Sequence, residues 1–411
     1  MSTPNRARLQ TLGVQPLFIA LILFLVGLAA PRPAHAFAWT LRHGYQQCNA
    51  CHVDPSGSGA LTRYGRGVGE EAFHTRWFAD TGSADEDEDG ARIAGFAFGA
   101  VKLPKALVLQ ADARYMRLTQ KVEGAPLMKR DIWMQLDFAA ALKLGHFTAF
   151  GVLGYAPEGG RAAALTAGRT DNLISRTHWL GYGFANDSLQ LRAGRMNLPF
   201  GLRIPEHTSW VRSFTRTNIN DHQQYGVSLF YGGSALRAEL MLVLGNFAIS
   251  PDDYRERGYS GFAEWFVAPK LSLGASSLIT HRALDSGTLK PTYRHAHGIF
   301  GRWATPWEPL AILFEGDYVL ESPEHANRRK GAVAFLQADA ELARGMHVML
   351  TGEAQNVGVK GPPLSYGAWL SYAWFFAPHS DLRVDSVWQR FASKAGDVDA
   401  LALLLQAHVY L

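Results

Sequence analysis

The two cysteines of this 411-residue chain lie three positions apart, and a histidine directly follows the second, in the order Cys48-Asn49-Ala50-Cys51-His52. Thiols at this spacing can bond both vinyl groups of a porphyrin, and the imidazole that follows then reaches the iron. A zinc site would need further thiolates, and a thioredoxin-like redox pair would need a βαβ frame that the sequence does not show. The motif therefore predicts one covalently bound haem c, held by Cys48 and Cys51, with His52 as an axial ligand.

The second axial ligand has several candidates. His43 lies just upstream of the first cysteine, and His74 lies in a short helix predicted over residues 68–78. Either histidine would give bis-histidine ligation and a low potential, whereas a methionine such as Met116 would raise the potential. An open sixth position is a further alternative.

The stretch after the motif contains closely spaced proline and glycine residues, which should prevent a regular helix until about residue 67. These residues are Pro55, Gly57, Gly59 and Gly65. In the same stretch, Arg63 and Arg66 could pair with haem propionates, although solvated arginines are the simpler interpretation. Residues 37–80 number only about forty, too few to build a core of their own. Another part of the chain must therefore cover the haem.

The N-terminus predicts export. Arg6 and Arg8 precede an apolar run over residues 17–30, which ends at the small-residue site Ala34-His35-Ala36. Residues 1–36 are therefore predicted to be a secretory signal peptide. No later stretch approaches the roughly 20 consecutive apolar residues of a membrane-spanning helix.

An acidic linker is predicted over residues 81–91. Its Asp85, Asp87 and Asp89 resemble the start of a calcium loop, but Phe96 stands where an EF-hand needs a bidentate carboxylate. An EF-hand is therefore not expected, and a looser cation site is the alternative. The net charge of +4, without long basic runs, gives no reason to expect a nucleic-acid partner.

Residues 92–411 show repeated runs of about ten residues with alternating polarity, which is typical of a transmembrane β-barrel. In residues 131–142 one predicted lipid face holds Ile132, Met134, Leu136, Phe138 and Ala140, and the opposite face holds Asp131, Trp133, Gln135 and Asp137. Longer loops alternate with short turns at Leu144-Gly145-His146, Ala185-Asn186-Asp187, Gly232-Gly233-Ser234, Ala268-Pro269-Lys270, Arg344-Gly345 and Ala377-Pro378-His379-Ser380. The longest connection, residues 199–224, either folds into the pore or lies exposed. It holds Arg203, His207, Trp210, Arg212 and Arg216.

The last strand ends at the final residue of the chain. Leu403, Leu405, Ala407, Val409 and Leu411 form its apolar face, with Gln406, His408 and Tyr410 on the other. About seventeen segments can be counted, but single-chain bacterial barrels prefer an even number. We predict an all-β antiparallel barrel of about 16 strands, with residues 92–101 outside the wall and the haem segment at the periplasmic mouth. An 18-strand barrel threaded by the haem segment and a soluble all-β fold are the alternatives.

Taken together, the chain resembles the fused outer-membrane monohaem cytochrome–porins of iron-oxidising bacteria. The resemblance covers the architecture, and its motif residues are Cys48, Cys51, His52, Pro55 and Gly65. A Leu-Asn pair of that family is Leu61-Thr62 here, so a related cytochrome–porin group is the alternative.

This resemblance implies an electron conduit in the bacterial outer membrane. Its single haem c would pass electrons between an extracellular donor or acceptor, such as Fe(II), and a periplasmic carrier such as a soluble cytochrome c. The implied enzymatic activity is that of an Fe(II) oxidase, a one-electron oxidoreductase. The alternatives are a diffusion porin with a structural or sensory haem and a periplasmic haem enzyme. For a peroxidase the sequence offers no distal acid–base pair.

Overall fold

The computed structural model describes residues 39–69, 73–75, 95–156, 173–204, 208–220, 222–285, 289–358, 364–393 and 396–411. The predicted signal peptide and acidic linker lie outside the described residues, as do His207 and most of the predicted helix over residues 68–78.

Within the described residues, sixteen antiparallel strands form a closed barrel in which each strand pairs with its sequence neighbours and the last pairs with the first. The strands are β1 Leu107–Val122, β2 Met128–Leu144, β3 Phe147–Tyr155, β4 Leu173–Phe184, β5 Leu189–Met196, β6 Gln224–Gly232, β7 Leu236–Gly245, β8 Arg257–Ala268, β9 Leu271–Arg282, β10 Thr292–Ala304, β11 Leu310–Pro323, β12 Arg329–Ala343, β13 Met346–Gly358, β14 Ser365–Ala377, β15 Ser380–Phe391 and β16 Val398–Tyr410. Closure pairs every strand on both edges, so the wall has no open sheet edge to present to lipid. The sixteen-strand prediction is confirmed, and residues 95–101 lie outside the wall as expected.

The predicted short turns all lie at one end of the barrel, which we call the short-turn end, and the longer connections lie at the long-loop end. In outer-membrane barrels the short turns face the periplasm. The wall alternates as expected. In β7, for example, Leu240 and Leu242 are more than half exposed on the outer surface, while Met241 and Val243 are buried towards the lumen. The C-terminal strand follows the same rule, because Leu403, Leu405 and Val409 are exposed along its outer face.

One predicted face in β2 is wrong. Gln135 pairs with Arg114 of β1, but Trp133 pairs with Tyr115, so Met134 is an extra residue in the ladder. Such a bulge exchanges the two faces of the strand beyond it. Trp133 is therefore 49% exposed on the outside, in edge contact with the ring of Tyr115, instead of lying in the lumen.

The N-terminal segment, described over residues 39–69 and 73–75, lies inside the barrel, and we call it the plug. It contains a 3-10 turn at Trp39–His43 and two short helices, α1 Cys48–Cys51 and α2 Arg63–Val68. Side chains and backbone of the plug bond the short-turn end: Gln46 Nε2 donates to Pro269 O at 2.9 Å, and Thr75 N donates to Phe375 O at 2.8 Å. Across the described part of the chain, no helix is long and apolar enough to cross a bilayer.

The connection between β5 and β6, described over residues 197–204, 208–220 and 222–223, also enters the barrel, and we call it the inward loop. Its helix α3, Trp210–Thr215, packs against β11, β12 and β13. Trp210 and Val211 are buried in an apolar cluster with Phe300 and Phe335 of the wall. Of the two alternatives for this loop, the inward fold is therefore the one observed.

Candidate haem-binding site

The three motif residues converge inside the barrel. Cys48 and Cys51 begin and end the single turn of α1, so both side chains project from the same side of the helix. Neither forms a disulfide, and both are buried. His52 follows directly with an extended backbone, and the residue is 8% exposed.

The chain after the motif folds back onto it. The backbone N–H of Thr62 donates to Cys51 O at 2.7 Å, and Leu61 forms a β-bridge with His52. The hydroxyl of Thr62 then caps α2 by accepting from Gly65 N at 3.0 Å. Because Thr62 is an N-cap, the helix begins at Arg63 and ends at Val68. The sequence prediction, with no helix before about residue 67, was wrong on this point.

Two glycines let the chain approach the two cysteines closely. Gly57 has a φ of +81°, and a Cβ there would stand 3.1 Å from Cys48 Sγ. At Gly65 a Cβ would overlap the carbonyl oxygen of Cys51. Two thiols on one helical turn, an adjacent buried imidazole and bare backbone against both cysteines together fit the attachment site of a haem c.

The environment of His52 suits a metal ligand. Burial lowers the pKa of His52, against opposing contributions from the backbone of Gly59 and from the carboxylates of Asp54 and Asp112. A lowered pKa favours the neutral imidazole, which is the form that coordinates iron.

A buried network anchors the plug beyond the motif. Asp54 Oδ1 accepts from Arg192 Nη1 at 3.0 Å, and Asp54 Oδ2 accepts from Trp179 Nε1 at 2.9 Å. Arg192 also pairs with Glu239 at 2.5 Å. Burial alone would raise the pKa of Asp54, but Arg192, the backbone N–H of Ser56 and Trp179 hold it below its ordinary value. The plug is therefore tied to β4, β5 and β7 through charges that are sealed from solvent.

A second network meets the first cysteine. Arg237 Nη1 lies 2.9 Å from Cys48 Sγ, and Arg237 pairs with Glu264 at 2.6 Å. Arg302 pairs with the same carboxylate at 2.5 Å and donates to the backbone oxygen of Gln46 at 2.9 Å. These contacts fix the start of α1 against β7, β8 and β10. Sequence reasoning singled out neither network.

The candidates for the second axial ligand lie in the plug and in β1. His43 Nε2 lies 2.8 Å from Glu341 Oε2 at the short-turn end, and His74 Nδ1 lies 3.4 Å from the backbone oxygen of Gly69. Met116 is buried in β1. No group of three or more His, Cys, Asp or Glu side chains in the described ranges is arranged to hold a metal ion. The second ligand stays a prediction.

The arginines expected near the haem edge bond to backbone. Arg63 Nη2 donates to Leu103 O at 3.0 Å, and Arg66 Nη2 donates to Leu109 O. Both bonds fasten α2 to the entry of β1. Pairing of these arginines with propionates stays a prediction.

Ion pairs hold the inward loop at the long-loop end. Arg216, which follows α3, pairs with Glu321 at 3.0 Å and lies 3.6 Å from Glu256. Arg294 of β10 donates to the backbone oxygen of Thr215 at 2.9 Å. The plug and the inward loop thus occupy the lumen from its two ends.

Acidification is expected to loosen the inward loop through Glu256. Burial would raise the pKa of Glu256, but Arg282, Arg294 and Arg216 lower it below its ordinary value. The stabilisation is therefore complete above the ordinary glutamate pKa and is lost as the pH falls through the lowered value. Planar-bilayer conductance should rise across that window. The Glu256→Gln variant should show raised conductance at neutral pH and a smaller acid step, and a pH-independent wild-type conductance would contradict the prediction.

Comparisons with known proteins identify the fold. No family model matches the chain, and no curated protein matches it. Among solved structures, OmpT of Vibrio cholerae, as a loop L8 deletion mutant, aligns with a TM-score of 0.57 at 10% identity, over 74% of this chain and 100% of that one. The anion-selective porin from Comamonas acidovorans aligns at 0.55 and 11%, over 74% and 99%, and the outer membrane channel DcaP of Acinetobacter baumannii at 0.54 and 11%, over 76% and 99%. The chain thus has the fold of outer-membrane porin barrels.

Proposed function

We propose that this protein is an outer-membrane electron conduit in which a single haem c, held in a porin-like barrel, passes electrons between an extracellular donor or acceptor and a periplasmic carrier. Fe(II) is the proposed donor, and a soluble cytochrome c is the proposed carrier. The observation that carries the proposal is the position of Cys48, Cys51 and His52, which lie inside the lumen of a closed barrel instead of in a separate domain.

The chain's own residues would have three tasks. Cys48 and Cys51 would hold the haem through thioether bonds, and His52 would bind its iron. When bound, the haem would supply one-electron chemistry, taking up one electron for each Fe(II) oxidised to Fe(III). The networks around Asp54 and Arg237 would keep the site fixed in the lumen, and the apolar outer wall would contact outer-membrane lipid.

The barrel also addresses a problem of distance. A bilayer core of about 30 Å is a long gap for one haem alone. The plug enters from the short-turn end, where Cys48 lies beside Arg237 near the start of β7, so a haem held there would shorten that gap from the periplasmic side. A soluble carrier would then dock at the periplasmic mouth, beside Arg42 and His43 of the plug.

A diffusion porin with a structural or sensory haem is the second candidate, because barrels of similar fold include a porin. The plug and the inward loop argue against it, since both pack against the lumen wall and narrow any aqueous path. A diffusion porin should show open conductance of small solutes in planar bilayers that does not change when the haem is reduced.

The decisive experiment is reconstitution of haem-loaded protein in liposomes that contain cytochrome c, with Fe(II) added outside. The conduit predicts reduction of the haem and then of the enclosed cytochrome c. The Cys48→Ala/Cys51→Ala variant is the matched control, because it should keep the barrel and lose the cofactor. Absence of haem reduction would reject Fe(II) as the donor, and haem reduction without transfer inward would reject the conduit.

A further inference from the structure

Three basic side chains meet at the short-turn end, where helix α2 of the plug adjoins the chain that leads into β1. Arg63 Nη2 donates to Leu103 O at 3.0 Å, and this bond holds Arg63 near Lys102 and Lys105. All three basic residues are exposed. Like charges held close together repel each other, so they favour an acidic partner.

Exposed apolar side chains border these charges. Tyr64 follows Arg63 in α2, and Val101 precedes Lys102, and the two are 48% and 46% exposed. Apolar side chains with a charged rim are typical of a protein–protein contact. We call five residues the basic patch: Arg63, Tyr64, Val101, Lys102 and Lys105.

The surroundings do not neutralise the basic patch. Residues 39–69 and 95–106 contain a single acidic residue, Asp54, and its carboxylate is buried inside the barrel. None of the three basic residues of the patch pairs with a carboxylate of the described residues. Three other basic side chains at the short-turn end do have acidic partners: Arg42 has Glu341, Lys143 has Asp187 and Lys270 has Glu308. Uncompensated positive charge thus lies at the basic patch.

The basic patch lies close to the haem-binding motif. Helix α2, which carries Arg63 and Tyr64, approaches Cys51 through Gly65, where a Cβ would overlap the carbonyl oxygen of Cys51. The backbone N–H of Thr62, the N-cap of α2, donates to the same oxygen at 2.7 Å. A partner that covers the patch would therefore stand one helix away from the second cysteine of the motif.

We propose that the basic patch is the docking surface for a soluble electron carrier with an acidic face. That the partner is a redox protein rests on the proposed function. Each Fe(II) oxidised outside would then reduce one carrier molecule by one electron. Opposite charges would steer the carrier to the mouth, and Tyr64 and Val101 would form the apolar centre of a small, weak contact, as is usual between redox proteins. Arg63 belongs to the plug and not to the outer wall, which favours a protein over an anionic lipid.

The first test measures the binding of two probes of opposite charge to purified, haem-loaded, full-length protein in a nonionic detergent. The probes are a basic cytochrome c and the same cytochrome c with its lysines succinylated, which makes it acidic, each labelled with a fluorescent dye. Fluorescence anisotropy should show that only the acidic probe binds at an ionic strength of about 0.01 M, where charges act over about 30 Å. That binding should be lost at about 1 M, where charges act over about 3 Å. Lys102→Glu/Lys105→Glu should weaken it about tenfold or more, because two attractions become repulsions.

The matched control is Arg329→Glu/Lys330→Glu, which makes the same change of charge on exposed residues at the long-loop end. It should bind the acidic probe like wild type, and Lys102→Gln/Lys105→Gln should lie between wild type and the glutamate variant. Equal weakening in the patch variant and the control would overturn the proposal, and so would tighter binding of the basic probe. Unchanged probe binding, with stabilisation of the barrel by phosphatidylglycerol lost in Lys102→Glu/Lys105→Glu, would assign the lysines to lipid and overturn the proposal too.

A second measurement separates the docking surface from the conduit. In liposomes that contain the acidic cytochrome c, Lys102→Glu/Lys105→Glu should slow reduction of the enclosed carrier about tenfold, while the rate of haem reduction by external Fe(II) stays unchanged. Equal carrier reduction in wild type and variant would overturn the docking surface. Binding of the acidic probe that depends on Lys102 and Lys105, without any electron transfer, would support the docking surface and reject the conduit.

Discussion

Replacing Cys48 and Cys51 together by alanine is expected to abolish covalent haem attachment completely while the barrel still folds. The physical reason is local, since the chain has no other thiols and the two thioether bonds have no substitute. The wall should tolerate the change, because both cysteines lie in the plug and every strand of the barrel pairs with two other strands. The double substitution should therefore remove all covalently bound haem and change the stability of the barrel only slightly.

Two gels and one spectrum check this result. Haem-stained denaturing gels should lose the band at the full-length position, and the visible absorption of the purified protein should disappear. The unheated sample should still run as a folded barrel. The His52→Ala variant is the informative comparison, because it should keep the stained band and change the absorption spectrum. Haem that stays bound through denaturation in the double alanine variant would refute the attachment site.

The parts of this molecule that sequence predicts well are those whose physics is local or repetitive. The spacing of Cys48, Cys51 and His52 depends on one helical turn, which α1 provides. The strand count rests on a pattern repeated around the wall, so one misjudged segment is corrected by the need for closure. The C-terminal strand is equally regular, with Leu403 and Leu405 outside.

Prediction fails where one residue resets a pattern. The bulge at Met134 inserts one residue opposite the step from Arg114 to Tyr115, and nothing in the local composition marks it. The start of α2 is a similar case. Thr62 caps a helix that contains Gly65 and Gly67, although glycine disfavours helix interiors. Here the close approach of Gly65 to the backbone of Cys51 outweighs the low helix propensity of glycine.

The anchoring networks could not be predicted from the sequence for another reason. Asp54 and Arg192 are 138 positions apart, and a charged residue at an inward strand position indicates only that the lumen wall is polar. Few features of the sequence point to these networks. Arg192, Glu239 and Glu264 are long charged side chains at lumen positions of the wall, where the plug later buries them. Their partners follow only from the depth to which the plug enters.

Replacing Arg192 by methionine is therefore the sharpest test of how the plug is held. The substitution keeps much of the side-chain volume and leaves Asp54 and Glu239 buried without their shared cation. Removing one partner of a buried ion pair costs about 3–5 kcal/mol, since the charge left behind is neither solvated nor paired. Asp54 would keep Trp179 and Ser56 as donors, and Glu239 would keep Ser228, which places the loss towards the lower part of that range. The population of undocked plug should rise at least about a hundredfold, because each 1.4 kcal/mol is a factor of ten.

Trypsin provides the readout, because Arg66 is 5% exposed in the docked plug and its peptide bond is protected there. Cleavage after Arg66 should be slow in wild type and fast in Arg192→Met, and the haem-stained band should move from full length to a short peptide. Arg117→Met is the matched control, since it removes the same charge from an exposed pair with Asp131, on the outer wall. Exposed pairs contribute little, so this variant should be cleaved at the wild-type rate. Equal cleavage of Arg192→Met and Arg117→Met would mean that the buried charges do not hold the plug, and its apolar contacts with the wall would then have to do so alone.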